Sequence, residues 1–270
     1  MPKHTVAVIG AGKIGELVIS GLLRSGWPTD RLLATTRRAA RGAELAERYG
    51  VTVVDNVAAV SRADILAIAV KPQDAAALLD EIGSKIPAGR LVVSLCAGLP
   101  TSFFAARLPE GTPVVRVMTN TPALVDQAMT VISAGPHANG EHLAVAEEMF
   151  KPLGSTIRVP ESQQDAVTAL SGSGPAYFYL LVEAMIDAGI LLGLPRQVAH
   201  ELIVQTAIGS AVMLRDSGEH PVKLREAVTS PAGTTIAAIH ELEKHGVRAA
   251  LLGALEAARD RARAIAEQAR

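Results

Sequence analysis

Aromatic side chains are scarce in this 270-residue chain, at 3%, and there is a single cysteine, Cys96. One cysteine excludes an internal disulfide and fits a reducing compartment, so a cytoplasmic location is expected. Charge of either sign is not in excess: 26 Lys and Arg stand against 27 Asp and Glu, a formal net charge of −1, with the basic residues scattered. That balance leaves no global attraction for nucleic acid or anionic lipid, and neither is expected as a partner. No stretch reaches the roughly 18 uninterrupted apolar residues of a membrane span. The opening MPKHTVAVIGAG lacks the basic region and following apolar run of a signal peptide. The seven histidines, at 4, 137, 142, 200, 220, 240 and 245, show no HExxH or comparable spacing, so no metal is expected.

With so few aromatics, the 49% hydrophobic content is mostly Ala, Val, Leu and Ile, which suits buried strands and closely packed helices. Up to about residue 160, short β-branched runs alternate with helical stretches. Strands are expected at 5–9, 31–36, 51–54, 64–70, 91–95, 114–117, 129–134 and 155–159, and helices notably at 14–25, 39–49, 74–84 and 141–153. That alternation implies an α/β domain with a mostly parallel, doubly wound sheet over 1–160. From 161 to 270 the strand signal disappears and long helical patterns take over, at 163–170, 176–192, 196–216, 236–244 and 248–270. In the third, Val198, Leu202, Ile203, Ala207, Ala211 and Leu214 recur at helical spacing. A face that broad in a bundle poor in aromatics is expected to be covered by a second copy, making this an all-α dimerisation domain.

GAGKIG, comprising Gly10, Ala11, Gly12, Lys13, Ile14 and Gly15, follows the first strand and opens a helix. In that strand-turn-helix context it reads as a Rossmann-type dinucleotide motif. The first glycine permits the tight turn, the second lets the backbone approach a pyrophosphate, and the third allows close helix-strand packing. At the end of the second strand, LLATTRRAARG offers Thr36, Arg37 and Arg38 where an acid would mark NAD. A hydroxyl and two guanidinium groups suit a phosphate dianion, so NADPH is expected over NADH. Arg38 and Arg41 also read as a solvated basic helix start. AVKPQ closes the fourth strand with Ala69, Val70, Lys71 and Pro72. Asn56 and the run MTNTPA, containing Asn120, also lie just beyond strand ends. Together they outline one crevice.

With that nucleotide end, the segments DAVTALSGSGPAYFYLLVEAMIDAG (165–189) and HPVKLREAVTSPAGTTIAAIHELE (220–243) closely resemble the pyrroline-5-carboxylate reductase family. The resemblance covers nearly the whole length. It implies reduction of 1-pyrroline-5-carboxylate to L-proline, the last step of proline synthesis, by dimers that often gather into decamers. It further implies that Gly10 to Gly15 hold the pyrophosphate, Thr36 and Arg37 the 2′-phosphate, and Asn56, Ala69, Lys71 and Pro72 the nicotinamide-side ribose. Cys96, Ala97 and Gly98 match the stretch passing the nicotinamide. The family's loop of Ser, Pro, two Gly and two Thr stands here as SPAGTT (230–235). Ala232 replaces a glycine, which puts in doubt any role needing positive φ there. Glu161 matches an acidic position near the substrate amine in some relatives.

A small ring carrying one carboxylate and one imine explains the uncharged stretch VTSPAGTTIAAI. Gly233, Thr234 and Thr235 would offer successive N–H groups, with Ser230 nearby, to the carboxylate at a helix entrance. A protonated imine already carries the charge that hydride seeks, so no strong acid is obligatory, and Thr235 is expected either to donate a hydrogen bond to that nitrogen or to relay a proton to it through water. SGSGPAY (171–177) lacks the Lys-Ser/Thr ending of a phosphate loop and reads as structural. Alternatives are a related imine or β-hydroxyacid reductase and a non-enzymatic dinucleotide-binding scaffold. Against the hydroxyacid reading, Lys223 and Lys244 are the only lysines of the helical half, and neither sits in an obvious catalytic motif.

Overall fold

The computed structural model describes residues 4–268. Eight strands form one sheet: β1 Val6–Ile9, β2 Leu32–Ala34, β3 Thr52–Val53, β4 Ile65–Ile68, β5 Leu91–Ser94, β6 Val114–Met118, β7 Ala128–Ala134 and β8 Gly154–Arg158. Each falls on one of the eight runs read from the sequence, with ends differing by a residue or two. The order is β3-β2-β1-β4-β5-β6-β7-β8. Every neighbouring pair is parallel except β6 and β7. Their link, 119–127, is too short for the crossover that a parallel pair needs.

The helices are α1 Lys13–Arg24, α2 Ala39–Tyr49, α3 Asn56–Arg62, α4 Pro72–Ile82, α5 Thr101–Ala105, α6 Gly140–Phe150, α7 Gln164–Val167, α8 Gly174–Leu191, α9 Arg196–Ser217, α10 Pro221–Ala227, α11 Thr234–Lys244 and α12 Val247–Gln268. A π turn, Thr168–Gly172, joins α7 towards α8. Short α3 was not among the helices read from the sequence, although its start is signalled: the Asp55 carboxylate accepts the Ala58 N–H at 2.7 Å. Alternation along the buried strands builds two cores. Val6 and Val8 face a layer with Leu17, Ile19 and Phe150, while Ala7 and Ile9 face one with Val60, Leu79 and Phe104. Phe104 and Phe150 are fully buried, and each contributes about 2–3 kcal/mol by leaving water.

The chain forms two compact units. One runs to Ser173 and includes the chain from Ala257 onward; the other is Gly174–Glu256. Inside the first, the end of α12 contributes Ile265, whose Cγ2 lies 3.0 Å from where a Gly98 Cβ would stand. In the second, α8 and α9 pack on one another, Gly189 lying against Ala199. Ile186 and Ala199 are its only buried apolar residues among those described, while Tyr179, Leu180, Leu191, Leu192 and Leu202 stand exposed. By length and composition alone, the helical run Glu161–Leu191 is apolar enough to cross a membrane. It carries Glu183 and Asp187 one turn apart; the face for which a covering copy was expected is on the next helix, α9, where Val198, Leu202 and Leu214 stand exposed.

Candidate functional site

The winding of the sheet reverses at β1, which pairs with β2 on one side and β4 on the other. Ligands of open α/β sheets bind at such a switch point, beyond the carboxyl ends of the strands. A cleft of about 620 Å³ opens here, the size of a small-molecule site. Its glycine-rich wall is the turn from β1 into α1. Gly10 has φ +81°, and a Cβ there would stand 2.4 Å from Val70 Cγ1, so only glycine fits. Gly15 lets α1 approach β1 closely, since its Cβ would meet Val8 Cγ1 at 2.9 Å. Thr35 fixes the turn from the next strand: its Oγ1 accepts the Gly10 N–H at 3.2 Å and its carbonyl accepts the Ala11 N–H at 2.8 Å. Gly12 caps α1 without a side chain, which leaves the first-turn N–H groups of Lys13, Ile14 and Gly15 for an anion.

Arg41 is no solvated helix start. Its side chain is 12% exposed and pairs with Glu16 and Glu44, while its Nε donates to the Ala11 carbonyl at 3.3 Å. Glu16 also accepts from Arg48 at 3.0 Å and from the Tyr49 hydroxyl at 2.8 Å. Burial pushes the Glu16 carboxyl up. Hydrogen bonds from Arg41 and Tyr49 and the charges of Arg41 and Arg48 outweigh burial and hold it below the usual carboxylate range. This cluster clamps α1 and the glycine turn to α2.

The cleft is also lined by Thr36, Arg37 and Arg38, beyond β2, and by Lys71, the N-cap of α4, which has Pro72 in its first turn. Arg37 is engaged: Nη1 and Nη2 donate to the two Asp74 carboxylate oxygens at 3.3 and 3.0 Å. Asn56 donates from Nδ2 to Glu81 at 3.0 Å. An uncapped helix start, cationic groups and the volume together fit a dinucleotide with its phosphates.

The second unit carries a different anion-binding geometry. Ser230 accepts the Gly233 N–H through its carbonyl at 3.1 Å, with Pro231 and Ala232 between them, Ala232 at φ +56°. Pro followed by a positive-φ residue is the pattern of a type II turn. The conformation usually given to glycine is therefore present at residue 232, strained. A Cβ at Gly233 would crowd Ser230 Oγ, so a side chain there would force that hydroxyl to turn away. Gly233 caps α11 with no side-chain partner. One expectation is corrected: the Gly233 N–H closes the turn, so the free donors are those of Thr234, Thr235 and Ile236.

Comparison with known proteins supplies the identity. Residues 161–265 match the family model described as pyrroline-5-carboxylate reductase dimerisation, and 5–98 match one described as NADP oxidoreductase, coenzyme F420-dependent. A pyrroline-5-carboxylate reductase of Corynebacterium melassecola is 42% identical over 261 residues, covering 95% of this chain and 97% of its own. The chain belongs to the pyrroline-5-carboxylate reductase family. The family's solved structures agree: the Coxiella burnetii enzyme superposes with a TM-score of 0.91 at 33% identity, over 98% of this chain and 99% of its own. The Plasmodium falciparum enzyme, crystallised with NADP bound, gives 0.90 at 27% identity over the same shares. The fold is thus an NAD(P)-binding Rossmann-like sheet followed by the family's helical dimerisation domain, and the exposed face of α8 and α9 lies in that domain.

Within the family frame, the cleft brings together Gly10, Ala11, Gly12, Thr36, Arg37, Asn56, Ala69, Val70 and Lys71. Cys96 and Ala97 do not line it. Cys96 sits one strand over and is buried, with its Sγ–H donating to the Val70 carbonyl at 3.4 Å. Burial pushes that thiol up to about 12, partly offset by hydrogen bonds with Ser94 and Val70, so it is no nucleophile. Asn120 is also away from the cleft. It accepts the Met129 N–H at 3.1 Å and donates to Ser171. Glu161 is engaged by the Thr101 N–H and hydroxyl, both at 2.6 Å, and by Arg116. Lys223 and Lys244 are exposed and paired with Glu219 and Glu241. Sequence reading missed Thr35, Glu16 and Asp74, whose side chains all act on partners 25 or more residues away.

Proposed function

We propose that this chain reduces 1-pyrroline-5-carboxylate to L-proline, with NADPH favoured over NADH, as a homodimer. The observation that carries the reading is the Ser-Pro-Ala-Gly turn, which feeds an uncapped helix start bearing two threonines, in a chain 42% identical to a curated member of the family. A single small carboxylate matches that set of N–H donors, with no buried cation needed. Support for a dinucleotide comes from the second uncapped helix, α1, and from the cationic side chains at the end of β2.

When bound, the reduced nicotinamide supplies a hydride to the imine carbon. The residues of the chain do the rest. Lys13, Ile14 and Gly15 hold the diphosphate through backbone N–H groups, while Thr36 and Arg37 hold the 2′-phosphate. Asn56, Ala69, Val70, Lys71 and Pro72 border the ribose on the nicotinamide side. Cys96 and Ala97 act at one remove, because Cys96 ties the end of β5 to the Val70 carbonyl. Thr234, Thr235 and Ile236 grip the substrate carboxylate, and Ser230 fixes the turn that aims them. The C=N bond becomes C–N as carbon takes the hydride and nitrogen keeps or gains a proton, with the Thr235 hydroxyl as its hydrogen-bond donor. Asn120, expected at the substrate, braces the end of β6 against the π turn that precedes α8.

The homodimer is supported by the matched dimerisation domain and by an apolar helical surface with almost nothing buried. The test is NADPH oxidation with 1-pyrroline-5-carboxylate. Thr235→Ala should cut kcat by about 10–100-fold, the scale of one directed hydrogen bond, with the cofactor Kd held. Unchanged kcat removes Thr235 from the chemistry, and no turnover in the unsubstituted protein overturns the assignment.

A further inference from the structure

The arginine read as the 2′-phosphate partner is not free. Arg37 is 82% exposed at its side chain, yet both terminal nitrogens of its guanidinium are occupied by the two oxygens of one carboxylate, Asp74. That fork is the geometry with which a guanidinium meets a phosphate. Asp74 is the better anchored partner. It stands in the first turn of α4, where the helix dipole favours an acid, and its backbone N–H closes onto the Lys71 carbonyl at 2.9 Å. Both residues line the cleft together with Thr36. Among the other cationic groups of that wall, Arg41 is committed to Glu16 and Glu44 and is 12% exposed. Arg38 and Lys71 also line the cleft, and its remaining acids are Asp55 and Glu81.

We infer that Asp74 is a positioning residue that tempers the preference for the 2′-phosphorylated dinucleotide by competing for Arg37. The inference rests on the dinucleotide reading above. Nε–H and a second hydrogen on each terminal nitrogen stay open, but a 2′-phosphate can take the Nη1/Nη2 fork of Arg37 only by displacing Asp74, whereas a dinucleotide without that phosphate leaves the pair intact. The carboxylate therefore subtracts from NADPH binding an increment that it does not subtract from NADH binding.

The experiment is calorimetric titration of the intact protein with NADPH and with NADH in the absence of substrate, at low ionic strength, where an exposed pair is least screened. In Asp74→Asn the ratio Kd(NADH)/Kd(NADPH) should rise about threefold to fivefold, the upper range for an exposed ion pair. In the Arg37→Ala background the same substitution should move the ratio less than about twofold, since its partner is gone. An unchanged ratio in Asp74→Asn overturns the inference. So does an equal gain in the Arg37→Ala background, because the carboxylate would then act without Arg37. If the unsubstituted protein binds neither dinucleotide, the cofactor reading fails and takes this inference with it. Binding of both with no change of ratio defeats the role of Asp74 alone.

Discussion

Replacing Glu16 by Gln isolates the charge that clamps the glycine turn while keeping the size of the side chain. Three donors converge on this carboxylate: Arg41, Arg48 and Tyr49. Arg48 is 63% exposed, and its pair contributes close to nothing. Arg41 is 12% exposed, so its charged hydrogen bond is worth about 1.5–3 kcal/mol. The amide oxygen of Gln can keep one neutral bond to Arg41 or to Tyr49, which trims the loss to about 2 kcal/mol. At roughly 2–4 °C per kcal/mol for a chain of this size, the melting temperature should fall by about 4–8 °C at pH 7. The pH dependence gives the sharper test. The Glu16 carboxyl lies below its ordinary range when folded, so its stabilisation is fully present above the unfolded value near 4.3. It is lost as pH falls through the folded value. Thermal melts of both proteins should show a constant gap from pH 7 to about 5.5, closing at more acidic pH as the carboxylate protonates. No gap at pH 7, or a gap that widens on acidification, would refute the reasoning.

Gly10→Ala places a methyl 2.4 Å from Val70 Cγ1 at φ +81°, and denaturant unfolding should show a loss of about 2–4 kcal/mol, with dinucleotide binding weakened. Ala232→Gly removes a positive-φ alanine; the relief of about 1–2 kcal/mol exceeds the entropic cost of glycine, so the melting temperature should rise slightly. Leu202→Asp places a charge on a residue 55% exposed in the isolated chain, and light scattering should show dissociation to monomers; an unchanged dimer would place the interface elsewhere. Cys96, buried and pushed up to about 12, should resist iodoacetamide at pH 8 in the native protein and react once denatured.

The strands were legible because their signal is local. Val6 to Ile9 or Leu91 to Ser94 are β-branched or apolar runs bounded by turns, and their burial on both faces follows from the helices between them. The glycine turn was legible for a related reason: its spacing is local and Gly15 answers to Val8 within the same strand-turn-helix unit, although the crowding at Gly10 comes from distant Val70. Side-chain partners were not. Arg37 and Arg41 are both arginines at the start of α2, and nothing in the local pattern says that one reaches Asp74 while the other is buried against Glu16. Likewise SPAGTT announces a helix entrance, but only its folded geometry shows that the Gly233 N–H closes the turn.

The strands, the long helices, the nucleotide turn and the family could be read from the chain alone, since each depends on side-chain periodicity, backbone freedom or contiguous motifs, whereas short α3, α5 and α10 could not. Only the tertiary structure decided which charges meet in the cleft, which glycine-loop donors are tied by Thr35, and how little of α8 and α9 is buried within one chain. Those outcomes depend on residues separated by tens of positions, which the winding of the sheet brings within hydrogen-bond reach.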